Sequence, residues 1–155
     1  MEAGQLNPYS LAGHTILLVE DNEDEVFMMR RAFRKANIPN PLHVATNGEE
    51  ALEYLEGTGQ FADRARFPFP AVVFLDLNMP KKGGLEVLRH VRAHEGLRRL
   101  VINILTASTR PADIDQAALL GANEYFVKPS QIEKLQELVQ GWYNLGRFKA
   151  YSLLG

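Results

Sequence analysis

The chain contains no cysteine. Disulfides, zinc–thiolate centres, iron–sulfur ligation and thiol catalysis are therefore excluded. A chain without cysteine suits a reducing compartment, and a cytoplasmic location is expected. Excess charge of one sign is also missing: 17 basic residues stand against 19 acidic ones, for a net charge of −2. With no Lys/Arg-rich run, a broad nucleic-acid footprint is not expected. No apolar run approaches the roughly 20 residues of a membrane span, so no membrane insertion is expected. Residues 1–14, MEAGQLNPYSLAGH, lack the basic start and apolar centre of a signal peptide. They read as a short N-terminal arm. Internal repeats and low-complexity segments are absent.

What is present suffices for one ordinary domain. The 155 residues are 46% hydrophobic and 23% charged, as in a globular chain with a true core. Five short apolar runs recur, each followed by a helical pattern. TILLVE (15–20) precedes 23–36, LHVAT (42–46) precedes 48–56, and AVVFLD (71–76) precedes 84–94. LVINIL (100–105) precedes 111–120, and EYFV (124–127) precedes 131–145. Nearly unbroken β-branched runs predict strands buried on both faces. Asn22 with Glu25, Asn47 with Glu50, and Ser130 with Glu133 resemble capping boxes at helix starts. Pro39 and Pro41 are expected to stop the first helix and Gly121 the fourth. In the last helix, Ile132, Leu135, Leu138, Val139 and Trp142 form one stripe for the sheet.

Five βα units in a row predict an α/β fold with a parallel sheet covered on both faces. Ligands of such sheets bind beyond the carboxyl ends of the strands. The topology brings Glu20, Asp21, Asp76, Thr106 and Lys128 to that one edge. Here the stretch ILLVEDNEDE (16–25) poses a problem, because a buried strand runs into five carboxylates. Glu23, Asp24 and Glu25 suit the positive end of a helix dipole. Glu20, Asp21 and Asp76 do not, since three ionised carboxylates in one hollow repel one another. A hard divalent cation relieves that repulsion, and Mg2+ suits such a ligand set. An Asp beside Mg2+ can attack phosphorus as a nucleophile. In FLDLNMPKKGG, Asp76 is the candidate; an Asp ending a strand can equally be a turn residue. Lys128 precedes Pro129, and a cis bond there would aim the ammonium at Asp76. Thr106 supplies a hydroxyl, and the small Ala107 and Ser108 after it leave room for a phosphoryl group.

These residues carry a resemblance. LLVEDN, VVFLDLNMPKKGGLEVL, INILTAS and GANEYFVKPS, in this order over about residues 15–140, resemble the receiver domain of two-component response regulators. LDLNMPKKGG and the long connection 57–70 are most similar to stand-alone receivers that partner bacterial phytochrome histidine kinases. The resemblance implies a flavodoxin-like (βα)5 three-layer sandwich with strand order 2-1-3-4-5. It implies Asp76 as phosphoacceptor. It also implies Mg2+ held by Asp21, Asp76 and the backbone carbonyl of Asn78, with Glu20 acting through a water. Thr106, Ala107 and Lys128 would contact the phosphoryl oxygens, Tyr125 matches the aromatic switch position, and Pro129 is structural. Glu20 stands where an Asp is common, and Ser130 where many receivers carry an aromatic. The implied function is a phosphoacceptor switch that assists its own phosphorylation and dephosphorylation, served by a sensor histidine kinase and signalling through protein–protein contacts. A phosphorelay intermediate is the alternative. A Mg2+-dependent aspartyl phosphatase is disfavoured, because Asn78 stands where a second Asp would act as acid and base.

The expected divisions are an arm at 1–14, the receiver at 15–145 and a tail at 146–155. WYNLGRFKAYSLLG (142–155) is aromatic and free of acids, so it is expected to cover a surface. A homodimer through the fourth helix, fifth strand, fifth helix and tail follows from the resemblance. His90 and His94 lie four apart on a predicted helix and read as a surface pair.

Overall fold

A computed structural model describes residue 11 and residues 13–154, with side chains described through residue 145. The arm expected at 1–14 lies outside the described residues for most of its length. So do the side chains of the tail expected at 146–155. Five parallel strands form one sheet: β1 (Ile16–Val19), β2 (Leu42–Ala45), β3 (Val72–Leu75), β4 (Val101–Thr106) and β5 (Glu124–Val127). The order is β2-β1-β3-β4-β5, as the resemblance implied. The helices are α1 (Glu23–Lys35), α2 (Gly48–Glu56), α3 (Gly84–Ala93), α4 (Pro111–Leu119) and α5 (Ile132–Leu154). No helix among the described residues is long and apolar enough to cross a membrane.

Strand side chains alternate between two cores. Leu17, Val19, Val73, Leu75, Ile102 and Ile104 pack with α2, α3 and α4. Ile16, Leu18, Val72, Phe74 and Leu105 pack with α1 and α5. The stripe of α5 behaves as its spacing requires. Leu135, Val139 and Trp142 are buried, and the Trp142 ring meets Phe74 edge-on at 4.7 Å. Leu11, inside the expected arm, is itself buried in this second core. The Asn40 amide holds it there by donating to the carbonyls of Leu11 and His14.

The helix ends have specific causes. The Asn22 side chain accepts from the N–H groups of Asp24 and Glu25, at 2.9 and 3.1 Å. Asn47 accepts from Glu50 N–H at 2.8 Å. The reciprocal halves of both expected capping boxes are replaced: Asn22 N–H donates to Glu20, and the Glu50 carboxylate accepts from Thr46. Ser130 does not cap α5; Leu135 N–H bonds to the Gln131 carbonyl, which puts Gln131 at the cap. Pro39 and Pro41 do not stop α1 either. Asn37, at φ 56°, turns the chain first, with Ile38 N–H on the Phe33 carbonyl and Asn37 N–H on the Arg34 carbonyl. Gly121 ends α4 by the same motif, at φ 90°. Helix α5 continues to Leu154, so its backbone runs on through the segment expected as a tail.

The 57–70 connection folds back as a cap on α2. Tyr54, Phe61 and Phe67 form an aromatic cluster with His43. Arg64 fastens it by donating to the carbonyls of Phe67 and Leu55, at 3.0 and 2.8 Å. The Tyr54 hydroxyl donates to the Pro68 carbonyl at 2.9 Å, and burial pushes its pKa up to about 12.

Candidate functional site

The parallel register aligns the strand ends. Val19 lies opposite both Ala45 and Leu75, and Thr106 opposite Val127. The residues one step beyond therefore meet at one edge. Asp76 N–H donates to the Val19 carbonyl, and Lys128 N–H to the Thr106 carbonyl at 2.8 Å. Carboxylate oxygens of Glu20, Asp21 and Asp76 come within 4.8 Å of one another. Glu20 and Asp76 are buried, at 2% and 6% exposure, while Asp21 faces solvent.

Among the described residues, one cation enters this cluster. The Lys128 ammonium bonds Glu20 and lies 3.2 Å from Asp76 Oδ2 and 3.8 Å from Glu25 Oε2. Burial raises the Glu20 carboxyl above its ordinary range, and the Lys128 contact only partly opposes this. Burial would lower the Lys128 ammonium. Its hydrogen bond to Glu20 and the charges of Asp76, Glu20 and Glu25 together outweigh that and raise it. The pocket thus holds more negative charge than one lysine balances. Oxygen-only donors, two of them buried, fit a hard divalent ion.

Local backbone shapes the loop after Asp76. Asn78 N–H donates to Asp76 Oδ1 at 3.3 Å. A Cβ on Gly84 would lie 2.3 Å from the Asp76 carbonyl oxygen. Only glycine lets α3 start this close to Asp76. Lys81 and Lys82 both adopt positive φ, at 50° and 80°. The Lys82 carbonyl would meet a Cβ on Gly48 at 2.1 Å, so this loop also rests on the start of α2.

Thr106 and Tyr125 meet at Ser108 rather than at Asp76. Thr106 is fully buried, and its Oγ1 accepts from Ser108 N–H at 3.4 Å. The Tyr125 hydroxyl donates to the Ser108 carbonyl at 2.9 Å. Ser108 Oγ donates to Asp113 in the first turn of α4. Arg110 grips Asp113 with two bonds of 3.0 Å. The Arg110 guanidinium, with help from Ser108, holds the Asp113 carboxyl below its usual range. Ala107 is exposed between these groups.

The pocket therefore unites Glu20, Asp21, Asp76 and Lys128, while Thr106 and Tyr125 line a neighbouring node. One expectation is corrected. No cis peptide bond occurs among the described residues, so Lys128–Pro129 is trans. Lys128 still reaches the pocket, because β5 ends in register with β4 and points it there. Two participants escaped the sequence reading. Glu25 was assigned only to the helix start, yet it approaches Lys128. The Ser108 hydroxyl bonds Asp113, five residues on in the first turn of α4, a contact the sequence does not announce.

The family match for the response regulator receiver domain covers residues 16–140. The probable methanogenesis regulatory protein FilR2 of Methanothrix harundinacea is 35% identical, over 81% of this chain and 78% of its own. Response regulator Rcp1 of Synechocystis is 31% identical, over 81% of this chain and 84% of its own. Among solved structures, response regulator RPA3017 in red light signalling of R. palustris superposes with a TM-score of 0.80. Its identity is 37%, over 84% of this chain and 92% of that one. The Mn2+-bound form of Rcp1 gives 0.74 at 30% identity, over 83% and 91%. The chain belongs to the response regulator receiver domain family and is a receiver-domain response regulator of two-component signalling.

Proposed function

We propose that Asp76 accepts a phosphoryl group from a sensor histidine kinase in a Mg2+-dependent reaction. The observation that carries this is the convergence of Asp76 with Glu20, Asp21 and Lys128 at three strand ends. Asp21, Asp76 and the Asn78 carbonyl would hold the ion, with Glu20 acting through a water. When bound, Mg2+ supplies positive charge against the carboxylates and the transferring group. An Asp76 oxygen attacks the phosphorus of a phosphohistidine. The P–N bond breaks, its electron pair passes to the imidazole nitrogen, and that nitrogen takes up a proton. Lys128, already beside Asp76, follows the charge onto a phosphoryl oxygen. Asn78 N–H holds the other Asp76 oxygen in place.

Phosphorylation adds about −1.5 to −2 of charge one strand away from Thr106. In this reading, Thr106 and Ala107 turn towards the phosphoryl oxygens and draw on Ser108. Ser108 carries the pull to Tyr125 and, through Asp113, to α4. The element biased is the β4–α4 loop, and the readout is a population shift of the α4–β5–α5 face. Pro129 fixes the chain after Lys128 on the same face. Output then passes by protein contact, or by onward phosphotransfer in a relay.

The kinase in this reading is of phytochrome type, in a cytoplasmic setting. The likeness to a response regulator in red light signalling supports the kinase type. Dimerisation is proposed through α4, β5, α5 and the residues from 146 onward. Ile114, Leu119, Val127 and Leu145 are exposed apolar groups on those elements. Beside them, Phe126, Leu138, Trp142 and Leu145 line a groove of about 300 Å³. Light scattering tests this part, since removing 146–155 and replacing Leu119 by Glu should each favour monomers.

The switch itself is tested by NMR with beryllium fluoride, a phosphoryl mimic, and Mg2+. The amides of Thr106, Ser108 and Lys128 and the Tyr125 ring should shift together, and none should shift in Asp76→Asn. Shifts that persist in Asp76→Asn, or that never reach Tyr125, contradict the proposal.

A further inference from the structure

At the opposite edge of the sheet lies a second group of possible ligands, of different chemistry. Helices in a parallel α/β fold run against the strands, so their C-terminal ends gather away from the Asp76 pocket. Glu56 is the last residue of α2. His90 lies in the last turn of α3, and His94 caps it. His90 Nε2 stands 3.1 Å from Glu56 Oε1. The rings of His90 and His94 stack at 5.3 Å, tilted by 25°. One ligand atom from each of the three side chains comes within 4.8 Å of the others.

We infer that Glu56, His90 and His94 form a binding site for a first-row divalent transition ion such as Zn2+. Two imidazoles and one carboxylate are the donors that Zn2+ and its neighbours favour, whereas Mg2+ prefers oxygen alone. Ligands at about 2.1 Å in tetrahedral array lie about 3.4 Å apart. The Glu56–His90 pair already has nearly that spacing. His94 is exposed and needs only a side-chain rotation to close the remainder. Two helix C-termini converge here, and their dipoles favour a cation. Solvent completes the coordination from the open side.

Such an ion would tie the end of α2 to the end of α3. The chain would then carry two cation sites: an oxygen pocket for the phosphoryl chemistry, and a nitrogen-rich clamp on the far side. The clamp takes no part in phosphorylation, so its occupancy would act on stability alone.

The test uses the full-length, tag-free protein, stripped of metal and returned to saturating Mg2+ so that the acidic pocket is filled. Zn2+ is titrated against a chromophoric chelator. Co2+ is added separately to read visible absorption from nitrogen and oxygen ligands. One Zn2+ per chain is expected, displacing the Co2+ spectrum and raising the melting temperature. His90→Gln and His94→Gln should each weaken uptake by at least about tenfold and abolish the melting shift. Asp21→Asn should leave both unchanged. No uptake at micromolar free Zn2+, uptake unaltered in both histidine variants, or uptake lost in Asp21→Asn would each overturn the inference.

Discussion

Replacing Lys128 by Met is the most informative perturbation of the pocket. The substitution keeps an unbranched apolar stem as far as Cε and removes the ammonium group. Glu20, at 2% exposure, then loses its charged partner, and Asp76 loses the same cation at 3.2 Å. A hydrogen bond to a charged group contributes about 1.5–3 kcal/mol, and a buried charge left unpaired costs more. The Lys128 side chain is 13% exposed, so some screening remains, and the lower part of the range applies. A loss of about 2 kcal/mol in a domain of this size lowers the melting temperature by roughly 4–8 °C.

The cost must depend on pH, with a definite sign. Glu20 has a raised folded-state pKa, and losing Lys128 raises it further. Its protonated form is fully tolerated below the unfolded value of 4.5. That stability is lost as pH rises through the folded value. The gap between wild type and variant should therefore be small at pH 5 and widen towards pH 8. Mg2+ should narrow it again at pH 8, by supplying the missing charge. Melting by circular dichroism at both pH values, with and without Mg2+, decides the matter. A gap that ignores both pH and Mg2+ would refute the electrostatic reasoning and leave packing as the cause.

Three other outcomes follow from separate features. Asn103 is 1% exposed, and neither side-chain polar atom has a hydrogen-bond partner among the described residues; Asn103→Leu should stabilise the fold by about 1–2 kcal/mol in urea titrations. Gly84→Ala forces a Cβ against the Asp76 carbonyl oxygen at 2.3 Å. It should cost about 1–3 kcal/mol and slow phosphorylation, whereas Gly96→Ala, where a Cβ meets nothing, should do neither. His43 has a lowered pKa, first from burial and then from Arg30. Its contribution is therefore complete above the unfolded value of 6.5 and lost as pH falls towards the folded one, and His43→Phe should flatten that decline in a melting-temperature series.

The strands were legible because they are buried on both faces, which leaves unbroken apolar runs such as VVFL. The pocket was legible because parallel topology collects strand ends, so Glu20, Asp21, Asp76 and Lys128 could be joined without coordinates. Helix ends were harder. Asn37 ends α1 through left-handed backbone before either proline acts, and a lone Asn announces that conformation weakly. Gln131 displaced Ser130 as the cap of α5 by a shift of one residue, which a three-residue spacing rule cannot exclude. The trans bond at Pro129 was beyond reach, since the proline ring permits both isomers and the surrounding chain selects one. The Ser108 node and the Glu56–His90–His94 group depend on side chains from separate elements. Their sequence separation, 34 residues in the case of Glu56 and His90, hides them until α2 and α3 are packed.

The most direct measurement of the central claim is intact mass after incubation with acetyl phosphate. Wild type and Asp76→Asn are compared, each with and without Mg2+. The account predicts a single phosphoryl adduct on wild type with Mg2+ and none under the other three conditions. An adduct that survives in Asp76→Asn, or no adduct in a protein that still binds Mg2+, would contradict it.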